Sequence, residues 1–327
     1  MGPWRGGRVG LVSASLPVDE GTALTVRAAA KINLHLGVGA RREDGFHPLA
    51  TVYHAISLYD DLTGARAGGW TLELTSTGAH VEADDVPVGA DNIVARAAQV
   101  LAAHHGLDRP GAHLWLEKEI PVAGGLAGGS ADAAAALVLL DRLWDLETPD
   151  EDLLRLAADL GSDVPFALVG GSAAGTGRGE LVEPVEDPGG WWWVVVPSRE
   201  GLSTPAVYRH WDELHPGASP VPPPCDRVLD ALVAGDPEAL AAALHNDLEV
   251  AACDLRPDLA VLLGRGVAAG ALRGIVTGSG PTCVFLCADA EHARGVSAEL
   301  LGAGQELALV ATGPVAGAHL VVPWSTC

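Results

Sequence analysis

The sequence predicts an α+β protein built from two domains, on three observations. The chain has 327 residues, and an ordinary domain takes about 150. Its apolar residues follow strand periods in some stretches and helical periods in others, in both halves. A glycine-rich break from Gly161 to Gly179 divides a first block of strands and helices from a second. The domains are therefore expected at 22–178 and 179–327, after an extension at 1–21. Hydrophobic residues make up 48% and charged residues 19%, which excludes a disordered chain. A chain of this length builds a core that needs no disulfide or metal staple.

Residues 1–21 are rich in Gly and other small residues and read as a loose extension. Thr22 to Arg27 and Ile32 to Val38 run or alternate apolar, as strands do. Arg41 to Gly45 is a polar turn, and Leu49 to Leu58 and Trp70 to Leu74 continue the strand pattern. Asp91-Asn92 opens a helix with Ile93, Ala97, Val100 and Leu101 on one face. Ala112 to Ile120 reads as a strand, Pro121 to Gly129 as a glycine-rich loop, and Ser130 starts an Ala-rich helix to about Trp144. A helix from Glu151 to Leu160 stops at Gly161. In the second half Trp191 to Val196 is a short apolar strand, and Pro220 to Pro224 is a break. Helices fit 226–234, 236–246 and 256–265. The end reads as strands at 272–277 and 282–287, a helix at 290–302, and strands at 306–312 and 318–323. Successive strand residues point to opposite faces, so at least one of Trp191, Trp192 and Trp193 is expected to be exposed or at an interface.

The charge narrows the partners. Twenty Lys and Arg against 42 Asp and Glu give 20 − 42 = −22. A field of that sign repels phosphate backbones and anionic lipid, so neither nucleic acid nor a membrane surface is an expected partner. The longest apolar run, Ala133 to Leu140, ends at Asp141 and is too short to span a bilayer. The first 16 residues lack the apolar stretch of a signal peptide. Five scattered Cys suggest neither a disulfide framework nor a zinc site. Together these point to a cytoplasmic protein, and no residue is assigned as a metal ligand. Of the 20 basic residues only Lys31 and Lys118 are lysine. A compact ammonium is not interchangeable with a guanidinium, so both positions are marked.

The most informative segment runs from Pro121 to Ala134, Pro-Val-Ala-Gly-Gly-Leu-Ala-Gly-Gly-Ser-Ala-Asp-Ala-Ala. Glycine lets backbone N–H groups approach an anion with no Cβ in the way. The helix that follows offers unpaired N–H groups and the positive end of its dipole. Together these make a phosphate cradle. Ser130 is placed to cap the helix or to touch a phosphate or its metal. The segment matches neither the Walker A pattern nor the dinucleotide fingerprint. The alternative is a tight strand-to-helix turn whose small residues serve packing only.

Three segments in order then resemble the motifs of the GHMP kinase superfamily. They are Ala30-Lys31-Ile32-Asn33-Leu34, the Pro121–Ala134 loop, and Gly278-Ser279-Gly280-Pro281-Thr282. Two more narrow the match: Asp44-Gly45-Phe46-His47 with Leu49 and Thr51, and Gly161-Ser162-Asp163-Val164-Pro165-Phe166. These resemble the branch whose substrate is 4-diphosphocytidyl-2-C-methyl-D-erythritol, phosphorylated by ATP on its 2-hydroxyl. The resemblance runs from about Leu24 to the end. It implies a ribosomal protein S5-like N-terminal domain that binds ATP and a ferredoxin-like C-terminal domain, with ATP and Mg²⁺ used at the cleft between them. It also implies a monomer or weak homodimer. The alternatives are a homoserine- or mevalonate-type kinase, a nucleotide-binding relative without catalysis, and an interaction protein using the Trp cluster.

The resemblance assigns roles residue by residue. Asp163 is the general base, at a corner between a Gly-ended helix and a Pro, and an ordinary aspartate is ionised at neutral pH. Without the resemblance it reads as an Asx turn. Lys31 is its partner, placed to lower the pKa of the attacking hydroxyl and stabilise the transferring phosphoryl group. Otherwise it is an exposed strand lysine. Asn33 shares the strand face with Lys31 and is read as a substrate-binding amide, or as a group satisfying buried backbone. ATP contacts fall on Asn92, Lys118, Pro121, Val122, Ala123, Gly124, Gly125, Leu126, Ala127, Gly128, Gly129 and Ser130. Lys118 lies between Glu117 and Glu119, so a solvated lysine is the alternative. Asp132 is read as a helper of Mg²⁺ or a complement to the helix N-terminus. Phe46, Tyr53 and Tyr208 are expected to flank the cytosine ring, with core packing the alternative, and His47 to recognise its edge. The relatives often carry Tyr where this chain has Phe46, so a hydroxyl is missing there. Thr204, Pro205, Gly278, Ser279 and Gly280 complete the expected substrate contacts.

Overall fold

The computed structural model describes residues 23–76, 89, 91–108, 110–122 and 124–321. Ala123, the expected extension at 1–21 and the end of the last expected strand lie outside the described residues. The first sheet is built on β1 (Leu24–Val38) and β2 (Leu49–Arg66), which pair antiparallel over almost their whole length. The two short strands expected at 22–27 and 32–38 are therefore one, with register shifts between Ala29 and Ala30 and between Asn33 and His35. The second strand runs on well past Leu58 because Asp60, Leu62 and Gly64 continue its buried face. β4 (Ala112–Lys118) pairs β2 antiparallel, and β3 (Trp70–Ser76) pairs β4 parallel. A hairpin of β5 (Ser172–Thr176) and β6 (Leu181–Pro184) adds to β2. A cut after residue 178 passes through the turn of this hairpin; sheet pairing crosses to the second unit only after Pro184.

Helices α1 (Ile93–His104), α2 (Gly128–Leu143) and α3 (Asp150–Leu160) share one core with this sheet. α2 is Ala-rich because it must lie close: Ala131 and Ala133 to Ala136 are buried, and a Cβ at Gly64 would meet Leu139 and Leu143. A short helix not foreseen in the sequence, α4 (Val164–Val169), follows Asp163.

The second sheet has the order β11-β7-β10-β9, from β7 (Trp191–Val196), β9 (Arg273–Val276), β10 (Cys283–Cys287) and β11 (Leu309–Gly313), with all neighbours antiparallel. The sequence places these strands within a few residues. β8 (His245–Asn246) and β12 (His319–Leu320) leave this half and pair with β1 of the first sheet. Helices α5 (Thr204–Leu214), α6 (Asp226–Ala234), α7 (Pro237–Ala243), α8 (Glu249–Leu255), α9 (Pro257–Ala268) and α10 (Ala290–Gly302) complete the chain. α5 and α8 escape the sequence pattern because each buries only two residues. Among the described residues no helix is long and apolar enough to cross a membrane.

The three tryptophans mark where the halves meet. Strand alternation sends Trp191, Trp193 and Val195 into the core shared with the first sheet, and Val194 and Val196 into a second core under α5, α8, α9 and α10. Trp192 is half-buried against that second core. The expected interface is thus internal: β7 is a middle strand with both faces covered. Trp193 is fully buried at this junction. Trp193→Ala is expected to cost about 3–5 kcal/mol, read as a lowered urea midpoint for the whole chain. An unchanged midpoint would show that the junction does not carry the fold.

Candidate active site

The site forms along a gap in one edge of β1. On the side away from β2, β12 pairs Val26 and Arg27, and β8 pairs His35 and Leu36. Between them the inward N–H groups need acceptors, because buried backbone donors are costly to leave unpaired. The two glycine loops supply them. The Lys31 N–H donates to the Leu126 carbonyl at 3.1 Å, and the Asn33 N–H donates to Thr277 Oγ1 at 2.9 Å. The Thr282 N–H in turn donates to the Gly124 carbonyl at 3.2 Å. The loops pack so closely that a Cβ on Gly125, already at φ +79°, would lie 3.0 Å from the Thr277 carbonyl oxygen. Thr277 is a site residue that sequence reasoning missed, since only this docking gives it a role.

α2 begins at Gly128, two residues before the expected start. Its N-cap, Ala127, is in the left-handed region at φ 58° and makes no side-chain cap. Ser130 therefore does not cap the helix. It faces the cavity from the first turn, with Gly128 and Gly129. Leu126 differs from the expectation: its side chain is buried in the core and does not line the cavity. Asn92 is also buried, and its Oδ1 caps α1 by accepting from the Val94 N–H at 2.8 Å.

Lys31 and Asp163, 132 positions apart in sequence, meet here. Lys31 Nζ lies 3.6 Å from Asp163 Oδ2 and donates to Asn33 Oδ1 at 2.8 Å. Asn33 Nδ2 donates to Thr51 Oγ1, which donates to the His35 carbonyl. The Lys31 ammonium is thus aimed by a chain of bonds that ends on backbone. Tyr53 departs from its expected place beside a base. It is buried, its ring stacks on Phe166 at 4.9 Å, and its hydroxyl donates to Asp163 Oδ1 at 3.0 Å. Burial first, and Asp163 second, hold the Tyr53 phenol well above its usual pKa, so it remains a donor. Oδ1 is occupied, and Oδ2 is the oxygen beside Lys31.

Beneath the glycine loop at Pro121–Ser130 lies an ion cluster. Lys118 Nζ donates to Asp60 Oδ2 at 2.5 Å and to Asp132 Oδ2 at 2.6 Å, with all three side chains buried. Asp60 Oδ1 also accepts from the N–H groups of Glu119 and Ile120, so it fixes the strand where the loop departs. Burial, with Asp60 behind it, pushes the Asp132 carboxyl up to about 8 against the pull of Lys118. The Lys118 ammonium is disfavoured by burial, but Asp132 and Asp60 outweigh this and raise its pKa. Lys118 is therefore not a solvated lysine between two glutamates. Ala112, Leu114, Leu116 and Lys118 share the inward face of β4, a period-two signal present in the sequence. Asp132 gives Oδ2 to Lys118, while its buried Oδ1 has no hydrogen-bond partner among the described residues.

The far end carries rings. His47 is buried, shares a 2.8 Å contact through Nε2 with Asp212, and stacks on Tyr208 at 4.9 Å. Phe46 is 49% exposed, and the Arg178 guanidinium lies 4.9 Å above its ring. Thr204 Oγ1 and Ser279 Oγ are 2.8 Å apart, which ties α5 to the second glycine loop. All of these groups line one cavity of about 1080 Å³. Its wall holds six basic side chains (Lys31, Arg41, Arg96, Lys118, Arg178 and Arg209) against four acidic ones. The chain as a whole has 20 against 42, so the cavity is where polyanions are drawn. The four arginines were missed because nothing local distinguishes them from surface charge.

Residues 92–171 match the family GHMP kinases N terminal domain, and residues 228–305 match GHMP kinases C terminal. Fold and site define a kinase of the GHMP class, as expected. The chain is 64% identical over 296 residues to a 4-diphosphocytidyl-2-C-methyl-D-erythritol kinase of Nocardioides sp., covering 90% of this chain and 99% of that protein. A crystal structure of 4-(cytidine 5'-diphospho)-2C-methyl-D-erythritol kinase is 34% identical with a TM-score of 0.72, covering 88% of this chain and 98% of that one. A homoserine kinase from Cytophaga hutchinsonii reaches a TM-score of 0.70 at 17% identity, over 93% of this chain and 99% of that one. That likeness is one of fold alone. The chain belongs to the 4-diphosphocytidyl-2-C-methyl-D-erythritol kinase family and is an ATP-dependent kinase of the non-mevalonate isoprenoid pathway.

Lys118→Met leaves Asp60 and Asp132 buried without their cation. It is expected to lose roughly 3–5 kcal/mol of stability, and adding Asp132→Asn should restore part of it. Urea unfolding of the single and double variants checks this; an unchanged Lys118→Met midpoint would remove the cluster from the fold's support.

Proposed function

We propose that this chain transfers the γ-phosphoryl group of Mg-ATP to the 2-hydroxyl of 4-diphosphocytidyl-2-C-methyl-D-erythritol, with Asp163 as general base. The observation that carries this is the meeting of Asp163, Lys31 and the phosphate loop in one cavity whose other end is lined by His47, Tyr208 and Phe46. Phosphoryl transfer asks a protein for position, charge neutralisation and a proton acceptor. The loop from Pro121 to Ser130 would hold the nucleotide phosphates through its backbone N–H groups. Mg²⁺ commonly keeps most of its waters and binds through phosphates with one or two protein oxygens. Ser130, at the cavity wall beside the loop, is the hydroxyl suited to that, and the ion would neutralise phosphate charge.

Asp163 Oδ2 takes the proton of the attacking hydroxyl, since Tyr53 occupies Oδ1. Lys31 neutralises charge at the same point, and Asn33 keeps its ammonium there. Tyr53 is thus a positioning residue rather than a flank of the base. Phe46 and Tyr208 are the rings left to hold cytosine, and His47, fixed by Asp212, meets its edge. Gly278 approaches closely enough that a Cβ would lie 3.4 Å from Asn33 Oδ1 and 3.5 Å from Lys31 Nζ, so glycine there keeps the path to Lys31 open. We place the reaction in the cytoplasm on the chain's likeness to other kinases of this family.

ADP release with Mg-ATP tests the assignment. Asp163→Asn is expected to lower kcat by about 10²–10⁴-fold while ATP binding persists; wild-type kcat would refute the base. Tyr53→Phe is expected to lower kcat by a smaller factor with KM for both substrates unchanged. A raised KM for the cytidyl substrate alone would return Tyr53 to the base-binding wall.

A further inference from the structure

The Gly175-Thr176-Gly177-Arg178-Gly179 run has no part in the reaction described so far. It is the turn of the β5–β6 hairpin, anchored to β2 by the bond from the Leu49 N–H to the Gly177 carbonyl at 2.8 Å. Of its residues Arg178 lines the cavity, and the next, Gly179, packs behind Tyr53. Arg178 stands over Phe46, at the ring end. Gly179, at φ +102°, is pressed against the Tyr53 hydroxyl, where a Cβ would lie 2.2 Å away, and Tyr53 holds Asp163. A substrate with cytosine at Phe46 and its alcohol at Asp163 would carry its diphosphate between them, in the cavity that Arg178 lines. The inference rests on the substrate proposed above.

We propose that Arg178 is a specificity residue whose guanidinium receives the diphosphate that joins the cytidine end of the substrate to its reacting alcohol. Three features fit it to that task. The side chain lines the cavity and is part-exposed, so it is open to a ligand. Glu180 flanks it: one carboxylate oxygen, Oε2, accepts from the Arg178 backbone N–H at 2.5 Å, and the other, Oε1, lies 3.6 Å from the side-chain Nε. That leaves the terminal amino groups of the planar fork, which match a phosphate in a bidentate way. In a chain of net charge −22 a dianionic linker needs such a fixed cation.

The competing role is a brace, in which Arg178 only holds the Phe46 ring in place. Calorimetric titration with CDP and with cytidine separates the two. The wild-type chain is expected to bind CDP more tightly than cytidine. Arg178→Ala should weaken CDP by about tenfold or more and leave cytidine and ATP unchanged, with Arg178→Lys between the two. Retained ATP affinity shows that the variant is folded. Equal weakening of CDP and cytidine would make Arg178 a brace and overturn the proposal. Should the wild-type chain bind neither CDP nor cytidine while still binding ATP, the cytidyl substrate itself is wrong, and the assignment falls with it.

Discussion

The site depends on an unfilled stretch of sheet edge. β1 is paired along its whole length on one side, but only at its two ends on the other. The backbone donors in between are buried and must find acceptors. They find them in two glycine loops from opposite halves of the chain, one through the Leu126 carbonyl and one through Thr277 Oγ1. The same stretch of strand carries Lys31 and Asn33. Satisfying the backbone and placing the proposed catalytic lysine are thus one event. The glycines follow from it, since two loops that meet on one strand approach within contact distance of each other's backbone.

Charge is arranged by the same geometry. Lys118, Asp60 and Asp132 bring two acids and one base into the interior, under a loop proposed to hold phosphates. Buried ion clusters are weak sources of net stability, yet removing one member leaves an uncompensated buried charge, so the cluster acts as a fixed joint. Here Asp60 pins the end of β4, Asp132 pins the second turn of α2, and Lys118 joins them. The loop between is held at both ends. Above it, the cavity gathers basic side chains out of an acidic surface, which favours ligands that carry several negative charges.

Fold alone does not select the substrate. A homoserine kinase shares the architecture over nearly the whole chain at 17% identity. What differs must lie in the walls of the cavity: the loop with Phe46 and His47, the first turns of α5, and the β5–β6 turn. These are connections on a shared scaffold, where specificity can vary without disturbing the core.

The sequence by itself determined the class of fold and the strands of the second sheet, and these are local features, because strand period and helix start act between near neighbours. Lys31, Asp163 and the glycine loop took their site roles through the resemblance to a known family, since each alone also reads as an exposed lysine, a turn or a packing loop. Lys118 was half legible, since its place on the face of Leu114 and Leu116 points inward although the glutamates beside it suggest a solvated side chain. Only the tertiary structure decided that Asp60 and Asp132 share it, that the Tyr53 hydroxyl donates to Asp163, that Thr277 closes the edge of β1, and that the tryptophans of β7 face an internal junction. Each of those depends on register and docking between segments 14 to 244 positions apart in sequence. No local pattern encodes such distances, because they are fixed only when the two sheets pack.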